Sequence, residues 1–157
     1  MIISDLTNKN LINLNLDAKD SKEAILKLAG MMEQDGKLIS KEAFIMDVIR
    51  REKESSTGFG KGFAIPHGKS YGVKEPCFAI GRSEKGIRWE SFDKKPVNFV
   101  ILLAVPNEEA GTSHLEILSQ ISRKLVDEGY RQRLIEAKNE EDIINILTSP
   151  VNEICEA

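Results

Sequence analysis

The chain has 157 residues, a formal net charge of −3 and 41% hydrophobic residues, so it is long enough for one domain with a full core. The acidic balance argues against a nucleic-acid binder, and the longest apolar run, 99–106, is far shorter than the roughly 20 residues that cross a bilayer. Cys77 and Cys155 form no CxxC pair, so neither a disulfide framework nor a zinc site is indicated. With no leader-like sequence at its start, we expect one domain over residues 1–157, located in the cytoplasm.

The first third of the chain predicts a strand followed by two helices. Apolar residues alternate within Leu11–Leu16, which is typical of a strand with one buried face. Asp20, with a glutamate three residues later, has the spacing of a capping box, and Gly36 can end the helix that follows. Ser40 can cap a second helix, whose apolar stripe runs towards the Arg50–Arg51 pair.

The remainder predicts more strands and then helices. "CFAIGR" and "GIRW" resemble short strands joined by a turn at Ser83–Gly86. Val97–Val105 is almost entirely apolar, as expected for a central strand covered on both faces. Ser113 has the spacing of a helix cap, and helices are also expected over Tyr130–Ala137 and after a cap at Asn139. Strands mixed with helices indicate an α/β sandwich in a single domain.

The stretch "TGFGKGFAIPHGKS", residues 57–70, is rich in glycine but does not fit a nucleotide-binding loop. The phosphate-loop template requires four residues before its Gly-Lys-Ser/Thr, whereas five separate Gly62 from Gly68. Pro66 also removes one of the N–H donors that such a loop directs at the phosphate. The dinucleotide fingerprint lacks its third glycine from either possible start. Nucleotide binding is therefore not favoured.

What remains in this stretch is a histidine in an unusual setting. Pro66 fixes the backbone before His67 and Gly68 leaves room beside it, which predicts a histidine at the end of a strand with its ring facing a cleft. His114 follows a helix cap, where backbone N–H groups favour an anion. Two histidines, an arginine and a helix start can bind a phosphoryl group without metal. The residues alone also allow plainer interpretations. His67 is then a hydrogen-bonding turn residue, His114 is a polar residue in a first helical turn, and Arg50–Arg51 are solvated charges at a helix end.

The run "RREKESSTGFGKGFAIPHGK" closely resembles the active-site signature of type-2 enzyme IIA domains of the bacterial phosphoenolpyruvate-dependent sugar phosphotransferase system, the fructose/mannitol family. A second resemblance is the His114–Leu115 pair that opens a helix after the apolar strand. Phe63 is a mild departure from the usual aliphatic residue. The resemblance extends over about the whole chain, and the matching signature positions are Arg51, Glu52, Ser56, Thr57, Gly58, Gly60, Ala64, Ile65, Pro66, His67 and Gly68.

The resemblance implies an α/β sandwich with a mixed central sheet flanked by helices, and a phosphocarrier function. His67 would be phosphorylated by the phosphohistidine of the carrier protein HPr and would pass the group to a cysteine of enzyme IIB, part of a IIB–IIC permease. Arg51 and His114 would be the other active-site residues. The residues assigned to phosphoryl or loop binding are Thr57, Gly58, Gly60 and Ser113. No metal, other cofactor, nucleic acid or direct membrane insertion is implied.

Other functions stay open at this point. The residues of the signature are most like those of the fructose branch of the family. Mannitol, galactitol or another hexose also stays open as the transported sugar. The nitrogen-regulatory branch keeps the histidine but controls other proteins. A metal-dependent hydrolase is disfavoured, since the sequence has two histidines and no carboxylate at a ligand spacing. Phe59, between two glycines, is the candidate for a partner-docking surface, whereas Phe63 is assigned to the core.

Overall fold

The computed structural model describes residues 3–91, 93–107 and 113–149, without the side chains of Ser113 and His114. Two short 3-10 turns, Ile3–Asp5 and Lys9–Leu11, come first. The helices and strands that follow are β1 (Ile12–Asn13), α1 (Ser21–Gln34), α2 (Lys41–Glu54), β2 (Gly58–Gly60), β3 (Phe63–Ala64), β4 (His67–Ser70), β5 (Cys77–Ile87), β6 (Val97–Pro106), α3 (Ser113–Leu125), α4 (Glu128–Glu136) and α5 (Glu140–Thr148).

The helix starts follow local capping chemistry. The side chains of Asp20, Ser40 and Asn139 accept hydrogen bonds from the backbone N–H three residues further on, at 2.9, 3.2 and 2.9 Å. These three caps confirm the predictions for α1, α2 and α5. Gly36 follows α1 with a φ of 75°, which also agrees with its predicted role. Helix α4 begins earlier than predicted, because Asp127 accepts from a backbone N–H at 2.8 Å and acts as its cap.

Two strand predictions are wrong. The expected strand over Leu11–Leu16 is reduced to the two residues of β1, and Leu11 ends a 3-10 turn instead. The predicted turn at Ser83–Gly86 lies inside β5, which is one continuous strand. Both halves of β5 pair with β6 rather than with each other, and Gly86, with a φ of 89°, lies in the irregular stretch between them.

The sheet is mixed, as predicted, and β6 lies at its centre. The strand order is β1-β5-β6-β3-β2, and β4 also pairs with β6. Strand β6 is antiparallel to β5 and parallel to β3 and β4. One face of the sheet packs against α1 and α2, and the other against α3, α4 and α5. Alternate side chains of β6 enter the two cores: Val100, Leu102 and Ala104 on the α1/α2 side, and Phe99, Ile101, Leu103 and Val105 on the other.

Cationic side chains cover the carboxyl ends of the last three helices, whose final carbonyls lack partners within the helix. Arg131 donates to the carbonyls of Leu125, the last residue of α3, and of Val126, at 2.7 and 3.0 Å. Lys124 donates to Leu147 O of α5 at 2.7 Å. Arg82 of β5 reaches the end of α4, where its Nη1 donates to the carbonyls of Leu134, Ile135 and Ala137 at 3.1, 3.0 and 2.7 Å.

Candidate functional site

His67 is the first residue of β4 and is half-buried. Parallel pairing places it opposite Leu103 of β6, and the carbonyl of Pro66 accepts a hydrogen bond from Leu103 N at 3.0 Å. Pro66 has no N–H to donate, so between β3 and β4 it takes part in the strand pairing only through its carbonyl oxygen. The histidine therefore lies at a strand start whose position is determined by the central strand of the sheet.

The imidazole of His67 is held by a backbone carbonyl. Its Nδ1 lies 3.0 Å from the carbonyl oxygen of Ile65. Because a carbonyl oxygen can only accept, the proton of the neutral ring belongs on Nδ1, and Nε2 carries the free lone pair. The local backbone thus selects the tautomer.

Close packing of α2 on β4 brings Arg51 to the same place. A Cβ atom on Gly68 would lie 2.8 Å from Val48 Cγ2 and 3.3 Å from Val48 N, so the absence of a side chain lets the helix approach the strand. Arg51 lies three residues beyond Val48, about one helical turn along α2. Gly68 in turn adjoins His67, so this contact places Arg51 and His67 at the same cleft.

A cleft of about 380 Å³ contains both residues, and its lining is Asp47, Arg50, Arg51, Glu54, His67, Gly68, Lys69 and Leu115. The two arginines differ in their partners: the exposed Arg50 pairs with Asp47, whereas Arg51 Nη1 donates to Ser55 O at 2.8 Å. A larger concavity, about 800 Å³, lies at the other side of the end of α2, but its described lining residues include no histidine. The smaller cleft is therefore the candidate functional site.

Helix α3 reaches this cleft with its amino-terminal turn. Leu115, the third residue of α3, is part of the cleft lining. The side chains of His114 and Ser113 lie outside the described residues, so their predicted contacts with the phosphoryl group stay predictions. The described backbone nevertheless puts the start of α3 next to the cleft that contains His67.

Three of the four residues predicted to bind the phosphoryl group or to form its loop, Thr57, Gly58 and Gly60, are absent from the lining of the cleft. Thr57 directs its N–H at the Glu52 carboxylate, 3.1 and 3.2 Å from its two oxygens, and its hydroxyl also donates to Glu52. Gly58 passes so close to Ser91 that a Cβ atom would lie 2.5 Å from Ser91 Cα. Gly60, the last residue of β2, has a φ of 94° just before the turn into β3. We assign these residues to the shape of the loop rather than to phosphoryl binding.

Of the two phenylalanines of the loop, one lies where the sequence predicts and the other does not. Phe63 is fully buried, with its ring 5.1 Å from that of Phe99, which confirms its place in the core. Phe59 is half-buried and packs against the same cluster, so it is not the exposed docking side chain that was expected. Large exposed apolar side chains are instead found at Met46 of α2, at Tyr71 after β4, and at Leu115.

Three features of the site were missed from the sequence. The Ile65 carbonyl is a backbone group, which no side-chain pattern indicates. Lys69 shares a face of β4 with His67, and the period of two along a strand could have identified it. Glu52 was matched only as part of the signature, although its carboxylate accepts from Thr57 and from Trp89 Nε1, the latter at 3.3 Å.

Among the residues described, no group of three or more His, Cys, Asp or Glu side chains is placed to hold a metal ion. The helices of the same residues all lack the length and apolar character needed to span a membrane. Both findings concern the described part of the chain alone.

The match to a family model covers most of the chain. Residues 5–149 match the family described as "Phosphoenolpyruvate-dependent sugar phosphotransferase system, EIIA 2". The chain therefore belongs to the EIIA 2 family of this phosphotransferase system, as its signature predicted.

Two relatives carry names that refer to fructose. The chain is 39% identical to the "PTS system fructose-specific EIIABC component" of Bacillus subtilis over 94% of its own length, but spans 23% of that protein. It spans 22% of a second relative, a "PTS system 2-O-alpha-mannosyl-D-glycerate-specific EIIABC component" of Escherichia coli. With the "PTS system fructose-specific EIIA component" of Haloferax volcanii it shares 34% identity, covering 95% of this chain and 96% of the relative.

Solved structures agree with the fold. The nitrogen regulatory protein IIA-Ntr from Neisseria meningitidis superimposes with a TM-score of 0.85 and 32% identity, covering 93% of this chain and 99% of that one. The complex of enzyme IIAMTL and phosphorylated enzyme IIBMTL from Escherichia coli gives a TM-score of 0.75 at 21% identity, covering 90% of this chain and 96% of that one. The latter similarity concerns the fold alone.

Proposed function

We propose that this chain is a phosphocarrier of the phosphoenolpyruvate-dependent sugar phosphotransferase system. His67 accepts a phosphoryl group from phospho-HPr and passes it to a cysteine of enzyme IIB during sugar uptake, with fructose as the sugar. The observation that carries the proposal is the His67 imidazole, held through Nδ1 by Ile65 O in one cleft with Arg51. The fructose assignment rests on the names of two relatives.

The transfer to His67 is a substitution at phosphorus. The lone pair of Nε2 forms the new P–N bond while the P–N bond of the donor phosphohistidine breaks, and the donor ring recovers its lone pair. Positive charge develops on the His67 ring in this step, and the Nδ1–H···O bond to Ile65 stabilises it. No general base is needed, because the neutral nitrogen attacks directly. The donor is already activated, so the proposal includes no nucleotide and no cofactor.

Arg51 stabilises the phosphoryl group in this mechanism. Phosphoryl transfer proceeds through a loose transition state with charge spread over the three outer oxygens. A guanidinium presents its N–H donors in a planar fork that suits two such oxygens, and the bond to Ser55 O uses one of them. Arg50, paired with Asp47, is the less suitable of the two arginines.

His114 completes the proposed site. With the start of α3 at the cleft, we expect the His114 ring and the first-turn N–H groups, that of Ser113 included, to bind a phosphoryl oxygen. His114→Ala then slows turnover without preventing phosphorylation of His67, and His114→Gln, which still donates a hydrogen bond, has a milder effect. Labelling of a peptide containing His114 instead of His67 would reverse these roles.

The donor and the acceptor use one surface in turn. Met46 of α2, Tyr71 directly after β4 and Leu115 of α3 are 71%, 64% and 53% exposed, and each belongs to or adjoins an element that lines the cleft. We assign to them the transient contacts with HPr and enzyme IIB. A contact shared between two partners must be weak, since the phosphoryl group moves on from His67 to the second protein.

A second candidate function is supported by the similarity to IIA-Ntr of Neisseria meningitidis. In this alternative, phosphorylation of His67 still occurs, but it controls interactions with other proteins rather than sugar uptake. Neighbouring genes for enzyme IIB and a membrane IIC component favour transport, whereas a neighbouring gene for a nitrogen sigma factor favours regulation.

Reconstitution tests the proposal directly. The chain is combined with phosphoenolpyruvate, enzyme I, HPr and a panel of IIB–IIC pairs, and labelled phosphoryl is followed to each sugar. We expect label on wild-type protein, none on His67→Ala, and transfer to fructose with a fructose-type pair. Label that reaches His67 but no sugar with any pair supports the regulatory alternative. Absence of label on the wild-type protein refutes both.

A further inference from the structure

One carboxylate near the cleft collects several donors without lining the cleft. Glu52 directly follows Arg51 in α2 and accepts from Thr57 N, from the Thr57 hydroxyl and from Trp89 Nε1. Both partners are almost fully buried, Thr57 at 7% exposure and Trp89 at 6%. The carboxylate therefore ties the end of α2 to the loop that follows it and to the segment after β5.

From Thr57 a chain of hydrogen bonds continues to the nucleophile. The Thr57 carbonyl accepts from Ile65 N at 3.1 Å. The Ile65 carbonyl in turn accepts from the His67 ring at 3.0 Å. Thr57 thus anchors the residue whose carbonyl holds Nδ1 of the imidazole.

The same loop also restrains Arg51. Its guanidinium donates to Ser55 O, which belongs to the turn between Glu52 and Thr57. Because Glu52 closes that turn at Thr57, it limits where the Ser55 carbonyl can lie. The steric contact of Gly58 with Ser91 restrains the next residue of the loop. Glu52 is therefore connected to both groups that act on the phosphoryl group, although it is not among the described residues that line the cleft.

We propose that Glu52 is a positioning residue for phosphoryl transfer, acting through Thr57 and Ile65 on the His67 ring and through the 55–57 turn on Arg51. The inference rests on the proposed phosphocarrier function. An anionic acceptor suits this position because hydrogen bonds to a carboxylate are stronger than those to a neutral oxygen. Glutamine has one acceptor oxygen, so its amide N–H₂ must face one of the donors that Glu52 satisfies.

The test compares Glu52→Gln with Glu90→Gln, which removes the same charge from an exposed position beside Trp89. Single-turnover transfer from phospho-HPr should be about 10-fold slower in Glu52→Gln, with the half-saturating donor concentration unchanged, since misplacement affects the chemical step. Glu90→Gln should transfer at the wild-type rate. Thr57→Val, which keeps the backbone N–H but loses the hydroxyl, should fall between them. Equal slowing in both glutamine variants overturns the proposal in favour of a general charge effect.

Two spectroscopic signals separate positioning from a loss of folding. In protein labelled with ¹⁵N-histidine, the share of the Nδ1–H tautomer of His67 should decrease in Glu52→Gln and stay unchanged in Glu90→Gln. Emission of Trp89, the single tryptophan of the sequence, should change in Glu52→Gln as its N–H loses the carboxylate. If Glu52→Gln does not fold, the tautomer and the rate in Thr57→Val decide the question. A wild-type rate and tautomer ratio in a folded Glu52→Gln overturn the inference, whereas an unlabelled wild-type protein overturns the proposed function instead.

Discussion

Arg51→Lys tests whether geometry, and not charge alone, makes Arg51 effective. Lysine keeps the positive charge but cannot donate to two phosphoryl oxygens in one plane. The loss of one charge-assisted hydrogen bond is about 1.5–3 kcal/mol, which in the barrier corresponds to a rate roughly 10- to 100-fold lower. Lysine should also weaken the hydrogen bond to Ser55 O, which Arg51 makes at 2.8 Å. We therefore expect a reduction nearer to about 100-fold than to about 10-fold.

Arg50→Lys is the matched control for this substitution. The Arg50 side chain is 72% exposed and pairs with Asp47, so exchange for lysine should change the rate by less than about 2-fold. The assay is rapid-quench transfer of labelled phosphoryl from phospho-HPr, with circular dichroism to verify folding. A wild-type rate in Arg51→Lys, together with a slow Arg50→Lys, would show that the neighbouring arginine acts on the phosphoryl group.

Three further predictions concern packing and buried groups. Gly68→Ala places a methyl group against Val48, which should lower the free energy of unfolding by about 1–3 kcal/mol in urea denaturation; an unchanged value would mean that α2 shifts without strain. The buried hydroxyl of Tyr130 has no hydrogen-bond partner among the described residues, so Tyr130→Phe should raise the free energy of unfolding by about 1 kcal/mol; a decrease of that size would reveal a partner. Burial raises the pKa of Cys77 from 9.0 to about 12, so in a Cys155→Ser background its alkylation at pH 8 should be about 1,000-fold slower in the native protein than in urea; equal rates would contradict the burial.

Local signals in the sequence were reliable where the structure is decided locally. The caps at Asp20, Ser40 and Asn139 depend on a side chain and a backbone N–H three residues away, and all three were predicted. Pairing between distant strands was less accessible. Ser83–Gly86 has turn-forming residues, yet pairing of both flanks with β6 keeps it within one strand. The competing partner is the next strand, 10 residues away in the pair Ile87–Val97 and 27 in the pair Cys77–Ala104, and this pairing overrode the local turn preference.

The candidate site shows the same division. The signature identified His67 and Arg51, and the structure puts both in one cleft. The signature assigned Thr57 to phosphoryl or loop binding, whereas both of its donors are directed at Glu52. Whether a donor faces a ligand or a neighbouring carboxylate depends on side-chain directions that residue types do not specify. The contribution of the Ile65 carbonyl could not be predicted either, because every residue has one.

The contact between Arg82 and the end of α4 bears on the order of folding. Arg131 follows its two carbonyl acceptors at the end of α3 by only 5–6 residues. This cap can therefore form as soon as α3 and α4 meet. Arg82 precedes its three acceptors by 52–55 residues and belongs to the sheet. Closing so long a loop carries an entropic penalty that local contacts avoid. The last turn of α4 therefore gains its cap only when the helical layer docks on β5, and a fragment consisting of α3, α4 and α5 would fray at that turn.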